Sequence, residues 1–184
     1  MGSDTEWFKL DVFADFVGRS AAGGTFTLSS LCIDEFPITD SDCLSLLHLL
    51  PLLTELEVNE YSLYRDNPEG LITDKFLDGL CIGTRTTGLF QDQSNIPCLP
   101  RLENIRLCKR RDPTFKPEKL SEMVRSRWIP DPAHAARMGV SCLRSIKVCD
   151  GKRTREELLG YGLLRELVVQ ELFQVVRPSI CADV

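Results

Sequence analysis

Histidine is nearly missing from this chain of 184 residues: there are two, His48 and His134. Eight cysteines are present, but no two stand as Cys-x-x-Cys, so the usual zinc spacings are absent. No Gly-x-x-x-x-Gly-Lys-Ser/Thr loop, Gly-x-Gly-x-x-Gly turn, His-Glu-x-x-His helix or Gly-x-Ser-x-Gly elbow occurs. Long apolar runs are missing too. The longest, Leu44 to Leu53, holds ten residues and contains His48 and Pro51, whereas a membrane span needs about 20 apolar residues. The N-terminus lacks a secretory core, and Glu6 stands where a myristoylation signal needs Ser or Thr. Basic residues are outnumbered, 22 Lys and Arg against 27 Asp and Glu, for a net charge of -5. Nucleic-acid binding, which rests on a basic footprint, is therefore not expected. Neither is a membrane partner, a cofactor or a metal.

What remains is an ordinary globular composition, 43% hydrophobic and 27% charged. Cytosolic or nuclear residence is the expectation. Several cysteines lie inside apolar runs, as in Leu31-Cys32-Ile33 and Leu80-Cys81-Ile82, where a reduced thiol acts as a small hydrophobe.

One pattern returns four times: aliphatic, two others, aliphatic, one other, aliphatic. It reads Leu28-Ser-Ser-Leu31-Cys-Ile33, then Leu53-Thr-Glu-Leu56-Glu-Val58, then Leu102-Glu-Asn-Ile105-Arg-Leu107, then Leu143-Arg-Ser-Ile146-Lys-Val148. The last two aliphatics are two apart, the strand period, so they share a face. The residues between and after them are mostly polar and point the other way. Each copy is predicted to be a short strand, buried on one side and wet on the other.

A helical pattern follows each strand. Thr39 to Leu50 carries Leu44, Leu47 and Leu50, with Thr39 or Ser41 as cap and Pro51 as stop. Thr73 to Leu80 carries Phe76, Leu77 and Leu80. Pro117 suits a first helical turn leading into Leu120, Val124 and Trp128. Trp128 is either a buried anchor or an exposed contact; the shared helical spacing favours burial. Thr154-x-x-Glu157 forms a capping box. Strands joined by helices must run parallel. The repeats start 25, 49 and 41 residues apart; the first spacing is that of a leucine-rich repeat and the others require insertions. The stretches 60–70, 83–100 and 129–139 are rich in turn residues and are predicted to be surface loops. The ends differ. Residues 5–22 are predicted to be an N-terminal capping helix, with Phe8, Val12, Phe13, Phe16 and Val17 at helical spacing. The repeats occupy 25–160. The segment 161–184 is a C-terminal cap with a last edge strand around Phe173. The fold class expected is therefore α/β, a short irregular leucine-rich-repeat solenoid of one domain, with a parallel sheet on its concave side and helices on its convex side.

The stretches Phe16-Val-Gly-Arg-Ser20, Phe26-Thr-Leu-Ser-Ser-Leu-Cys-Ile33, Ile38-Thr-Asp-Ser-Asp-Cys-Leu44 and Leu50-Pro-Leu-Leu-Thr-Glu-Leu-Glu-Val58 resemble one repeat of the F-box/leucine-rich-repeat proteins of mushroom-forming fungi. Ile72-Thr-Asp-Lys-Phe76, Leu99-Pro-Arg-Leu-Glu-Asn-Ile105 and Met123-Val-Arg-Ser-Arg-Trp128 continue the resemblance, which covers most of residues 7 to 176. In that family an F-box binds the adaptor of a cullin-RING ubiquitin ligase and the repeats recognise substrates. The twenty or so residues ahead of the first repeat are too few for an F-box, so the resemblance implies the substrate-side half.

Charge is concentrated at the alternate positions. Asp34, Glu55, Glu57 and Asn59 belong to the early copies, with Glu35 and Glu60 nearby; Arg106 and Lys147 belong to the later ones, with Lys109, Arg110 and Arg111. A face running from acidic to basic would orient a complementary partner; the plainer reading is a row of solvated side chains. Lys109-Arg110-Arg111 could also meet a phosphate, although Asp112 offsets it. His48, among leucines, is a helix-surface residue or a general base without visible partners, and Cys149 is a nucleophile only if the fold brings it one. The function expected is a monomeric protein–protein interaction module without catalysis, whose partner-binding residues are Asp34, Glu55, Glu57, Asn59, Arg106 and Lys147. The alternatives are a truncated structural repeat fragment and an enzyme with a fold-assembled site.

Overall fold

The structure, a computed structural model, describes residues 9–22, 27–60, 70–83, 97–109, 115–150 and 173–175. Ten elements follow in order: α1 (Leu10–Ala22), β1 (Ser30–Asp34), α2 (Asp40–His48), β2 (Glu55–Glu60), α3 (Asp74–Leu80), β3 (Asn104–Lys109), α4 (Pro117–Arg127), α5 (Pro132–Met138), β4 (Ser145–Asp150) and β5 (Phe173–Val175). The five strands form one sheet in chain order, and every adjacent pair is parallel.

The four aliphatic triplets lie level with one another. Leu31, Leu56, Ile105 and Ile146 form one row across the strands, and Ile33, Val58, Leu107 and Val148 form another. Both rows join the helix residues Leu47, Phe76, Leu77, Leu80, Leu120, Met123 and Val124 in a single core. Burying a side chain of this size stabilises by about 1.5–3 kcal/mol, so the one-sided strand and the one-striped helix hold each other in place. Trp128 packs half-buried against the same core.

Strands β2, β3 and β4 are entered in the same way. The carbonyl of Ser29 accepts from Thr54 N (2.8 Å) and Glu55 N (2.9 Å), that of Thr54 from Glu103 N (2.9 Å) and Asn104 N (3.0 Å), and that of Glu103 from Arg144 N (2.7 Å) and Ser145 N (3.1 Å). These carbonyls occupy one position of the repeat, two residues before the first strand aliphatic. The repetition in sequence is thus a repetition in hydrogen bonding. Helix entry repeats as well. Thr39 caps α2 by accepting from Asp42 N, and Thr73 caps α3 by accepting from Phe76 N, both at 3.1 Å. The two caps are linked, since Thr73 Oγ1 donates to Asp40 Oδ2 at 2.9 Å.

Two insertion boundaries are fastened by buried charge. Arg127, the last residue of α4, is fully buried. Its guanidinium donates to the carbonyls of Leu80 (2.5 Å), Leu99 (3.0 Å) and Cys98 (2.5 Å), which flank the stretch between α3 and β3. Desolvation pushes its pKa down to about 10, still far above neutrality, so the group remains a cation. At the end of β2, Glu60 pairs with buried Lys109 of β3 at 3.1 Å and accepts from Ile72 N at 3.1 Å.

The loop expected over 129–139 is corrected by the structure: it contains α5. Asp131 caps that helix by accepting from Ala133 N at 2.9 Å, Pro132 opens it and Gly139 closes it at φ 68°. Ala135 packs with Ile82, Ile129 and Val140 in a small second cluster. The N-terminal helix forms as α1; Leu10, Phe13 and Val17 pack on the core while Val12 and Phe16 face outward. The expected capping box at Thr154, the helix following it and most of the loops at 60–70 and 83–100 lie outside the described residues. The expected edge strand forms as β5.

Candidate functional site

A strand period of two sends the residues flanking the core aliphatics to the face opposite the helices. In-register parallel pairing then gathers them into rows. Ser30, Glu55, Asn104 and Ser145 share one row, Cys32, Glu57, Arg106 and Lys147 the next, and Asp34, Asn59, Cys108 and Cys149 the third. All six residues anticipated at this face, Asp34, Glu55, Glu57, Asn59, Arg106 and Lys147, stand on it.

Their states differ. Asp34, Glu55 and Lys147 are exposed. Glu57 and Arg106, neighbours in the middle row, form an ion pair at 3.4 Å. Asn59 Nδ2 donates to Glu57 Oε1 at 2.9 Å and approaches Cys32 Sγ at 3.8 Å. Its Oδ1 is buried without a hydrogen-bond partner among the described residues. Arg106 Nε lies 3.4 Å from Cys108 Sγ, and its pKa is raised, first by that contact and then by Cys149. In the first row Ser145 Oγ donates to Asn104 Oδ1 at 2.8 Å. The centre of the face is therefore a neutralised polar network, and among the described residues the charge left over lies at its two sides.

Two charges counted towards the face belong elsewhere. Glu60 and Lys109 have the parity of Val58 and Leu107, so they turn to the helix side and pair there. Lys109 is consequently not a phosphate contact. Arg110 and Arg111 lie outside the described residues. Glu35 is exposed just beyond β1, in a left-handed conformation at φ 48°.

The cysteines are what the sequence reading missed. Cys32, inside an apolar run, is exposed on the polar face, while Cys108 and Cys149 sit side by side on that face and are buried. The alternation that placed Glu57 and Arg106 would have placed them too. Burial, then Glu57 and Asp34, raises the pKa of Cys32. The hydrogen bond with Cys108, then burial, raises that of Cys149. Burial pushes Cys43 and Cys98, in the core, up to about 12. These shifts favour the protonated thiol, the reverse of what a nucleophile needs. His48 and His134 are exposed on α2 and α5, away from the polar rows. Among the described residues, no group of three or more His, Cys, Asp or Glu is placed to hold a metal ion, and no helix is long and apolar enough to cross a membrane.

Compared with protein-family models, curated proteins and solved structures, the chain finds no match.

Proposed function

We propose that this chain is a leucine-rich-repeat solenoid that recognises another protein through the face of its sheet opposite the described helices, in the manner of the substrate-binding repeats of fungal F-box proteins, and performs no chemistry itself. The observation that carries the reading is the row structure. Four in-register strands set polar and charged side chains at alternate positions across one contiguous face. Any solvated sheet face carries polar side chains; it is the opposite signs on the two sides of this one that favour a complementary partner. The protonated thiols and the distance of both histidines from the face in the fold support a binding role over a catalytic one. Seven free thiols among the described residues support residence in a reducing compartment, the cytosol or nucleus.

The test begins with affinity purification from native cells, with particular attention to cullin-ligase adaptor subunits and their substrates. The captured protein is then titrated against the full chain and against a quadruple variant, Glu55→Lys, Glu57→Lys, Arg106→Glu and Lys147→Glu. The Glu57–Arg106 pair is inverted rather than broken, so folding survives. Binding should weaken by about tenfold or more. An unchanged dissociation constant would reject this face as the recognition site.

A further inference from the structure

Resting on that recognition reading, we infer that the occupant of the face is an extended peptide segment laid across the strands, with a cationic side chain over β1 and β2 and an anionic one over β4. The argument starts from which charges are already satisfied. Glu57 and Arg106 pair with each other at 3.4 Å, with Asn59 holding the carboxylate and Cys108 in contact with the guanidinium. Glu103, at the foot of β3, pairs with Arg144 at 3.0 Å. Among the described residues this leaves Asp34 and Glu55 as exposed acids on one side, joined by Glu35, and Lys147 as the exposed base on the other. The unspent charge of the face is a dipole running across the strands.

That dipole selects a partner. A polyanion such as nucleic acid gains at Lys147 and is repelled at Asp34 and Glu55. A uniformly basic segment meets the opposite conflict. A segment bearing both signs satisfies both sides, and the half-buried Glu57, Arg106, Asn104 and Ser145 of the first two rows offer donors and acceptors to its backbone, the third row being closed at Cys108 and Cys149. The spacing sets its length. Adjacent strands are about 4.8 Å apart and residues within a strand about 3.3 Å. Glu55 therefore lies roughly 12 Å from Lys147, and Asp34 roughly 16 Å. An extended peptide covers either span in roughly four to five residues.

The experiment uses the full chain, isotope-labelled, and three synthetic peptides of equal length and neutral Ser/Thr filling, followed by amide chemical shifts. One carries Arg and Glu roughly four residues apart, one carries Arg at both positions and one Glu at both. The mixed peptide should bind about fivefold tighter than either like-charged peptide, shifting amides of 32–34 and 146–148. In the variant Lys147→Glu, whose amide dispersion reports its folding, preference should pass to the double-Arg peptide. Equal affinities, no binding at millimolar concentration, shifts confined to other segments, or an order of preference indifferent to Lys147→Glu would each overturn the inference. If the peptides fail while a natural protein partner still responds to the quadruple reversal, this occupant is wrong and the recognition face stands. If both fail, the face itself is wrong.

Discussion

Replacing Arg127 with Met tests whether a buried cation that pairs with no carboxylate among the described residues holds this fold together. The side chain keeps much of its apolar stem, so the change is chiefly the loss of the guanidinium. The carbonyls of Leu80 and Cys98 lose this donor inside the protein, and that of Leu99 loses it but still accepts from Leu102 N at 3.2 Å. Hydrogen bonds to a charged group contribute about 1.5–3 kcal/mol each, roughly 4.5–9 kcal/mol for the three. Against this, the variant no longer strips water from a guanidinium, which costs several kcal/mol. The balance is a net destabilisation of about 3–5 kcal/mol, a large part of the 5–15 kcal/mol that holds a typical domain together. In urea, with a slope of about 2 kcal/mol per molar, the unfolding midpoint should fall by about 2 M. Hydrogen exchange should quicken first at 80–82 and 98–99, where the carbonyls belong to the roots of an insertion. Arg127→Lys should recover only part of the loss, because one compact ammonium replaces a planar fork aimed at three separate oxygens. A midpoint equal to or above that of the natural chain would show that desolvation outweighs the three bonds, and Arg127 would then be a tolerated burden rather than a clamp.

Gly70 and Gly139 adopt almost the same left-handed backbone, at φ 70° and 68°, but differ in surroundings. A methyl at Gly139 meets open space, whereas one at Gly70 collides with the Glu60 carboxylate, itself pinned by Lys109 and Ile72 N. Gly139→Ala should cost about 1 kcal/mol and Gly70→Ala about 2–4 kcal/mol in thermal or urea unfolding; equal costs would refute the role of Glu60. Asp40 supplies the pH test. Burial acts to raise its pKa, but hydrogen bonds from Thr73 and Ser41 and the charge of Lys75 prevail and hold it below the ordinary 3.8. The unfolded chain thus binds more protons there as the solution is acidified, so the stabilisation is complete above that value and is lost as pH falls through the folded pKa. Asp40→Asn should cost about 1 kcal/mol near neutrality and almost nothing once the natural carboxylate is protonated. A difference that stays constant with pH would exclude the carboxylate as its source.

How legible was this molecule in its sequence? The strands were, because Leu56 and Val58, Ile105 and Leu107, and Ile146 and Val148 repeat one local rule, and a two-residue period fixes which neighbours they turn away. Helix starts at Thr39, Thr73 and Pro117 were legible because capping is local chemistry. The helix α5 was not anticipated, although Asp131, Pro132 and Gly139 mark its two ends, because Pro and Gly within eleven residues also fit a loop and a seven-residue helix has too few turns to show an apolar stripe. Arg127 was beyond sequence reasoning altogether. Its acceptors are backbone carbonyls 28 to 47 residues away, and backbone atoms leave no trace in residue identity.

The same distinction separates the parts of the face. Which side chains share it follows from parity, and parity is written in each strand alone. Which charges remain free follows from register, because Glu57 can neutralise Arg106 only if β2 and β3 align residue for residue. A slip of one residue would place Val58 beside Arg106 and bury a charge, so the core that rejects the slip also fixes the charge pattern. Substitutions that keep the aliphatic triplets but alter the residue between them leave the stack intact and rewrite a row. The chemistry of the face can therefore change at positions 32, 57, 106 and 147 at little cost to folding, whereas Glu60 and Lys109, equally charged but of opposite parity, cannot change without disturbing the core.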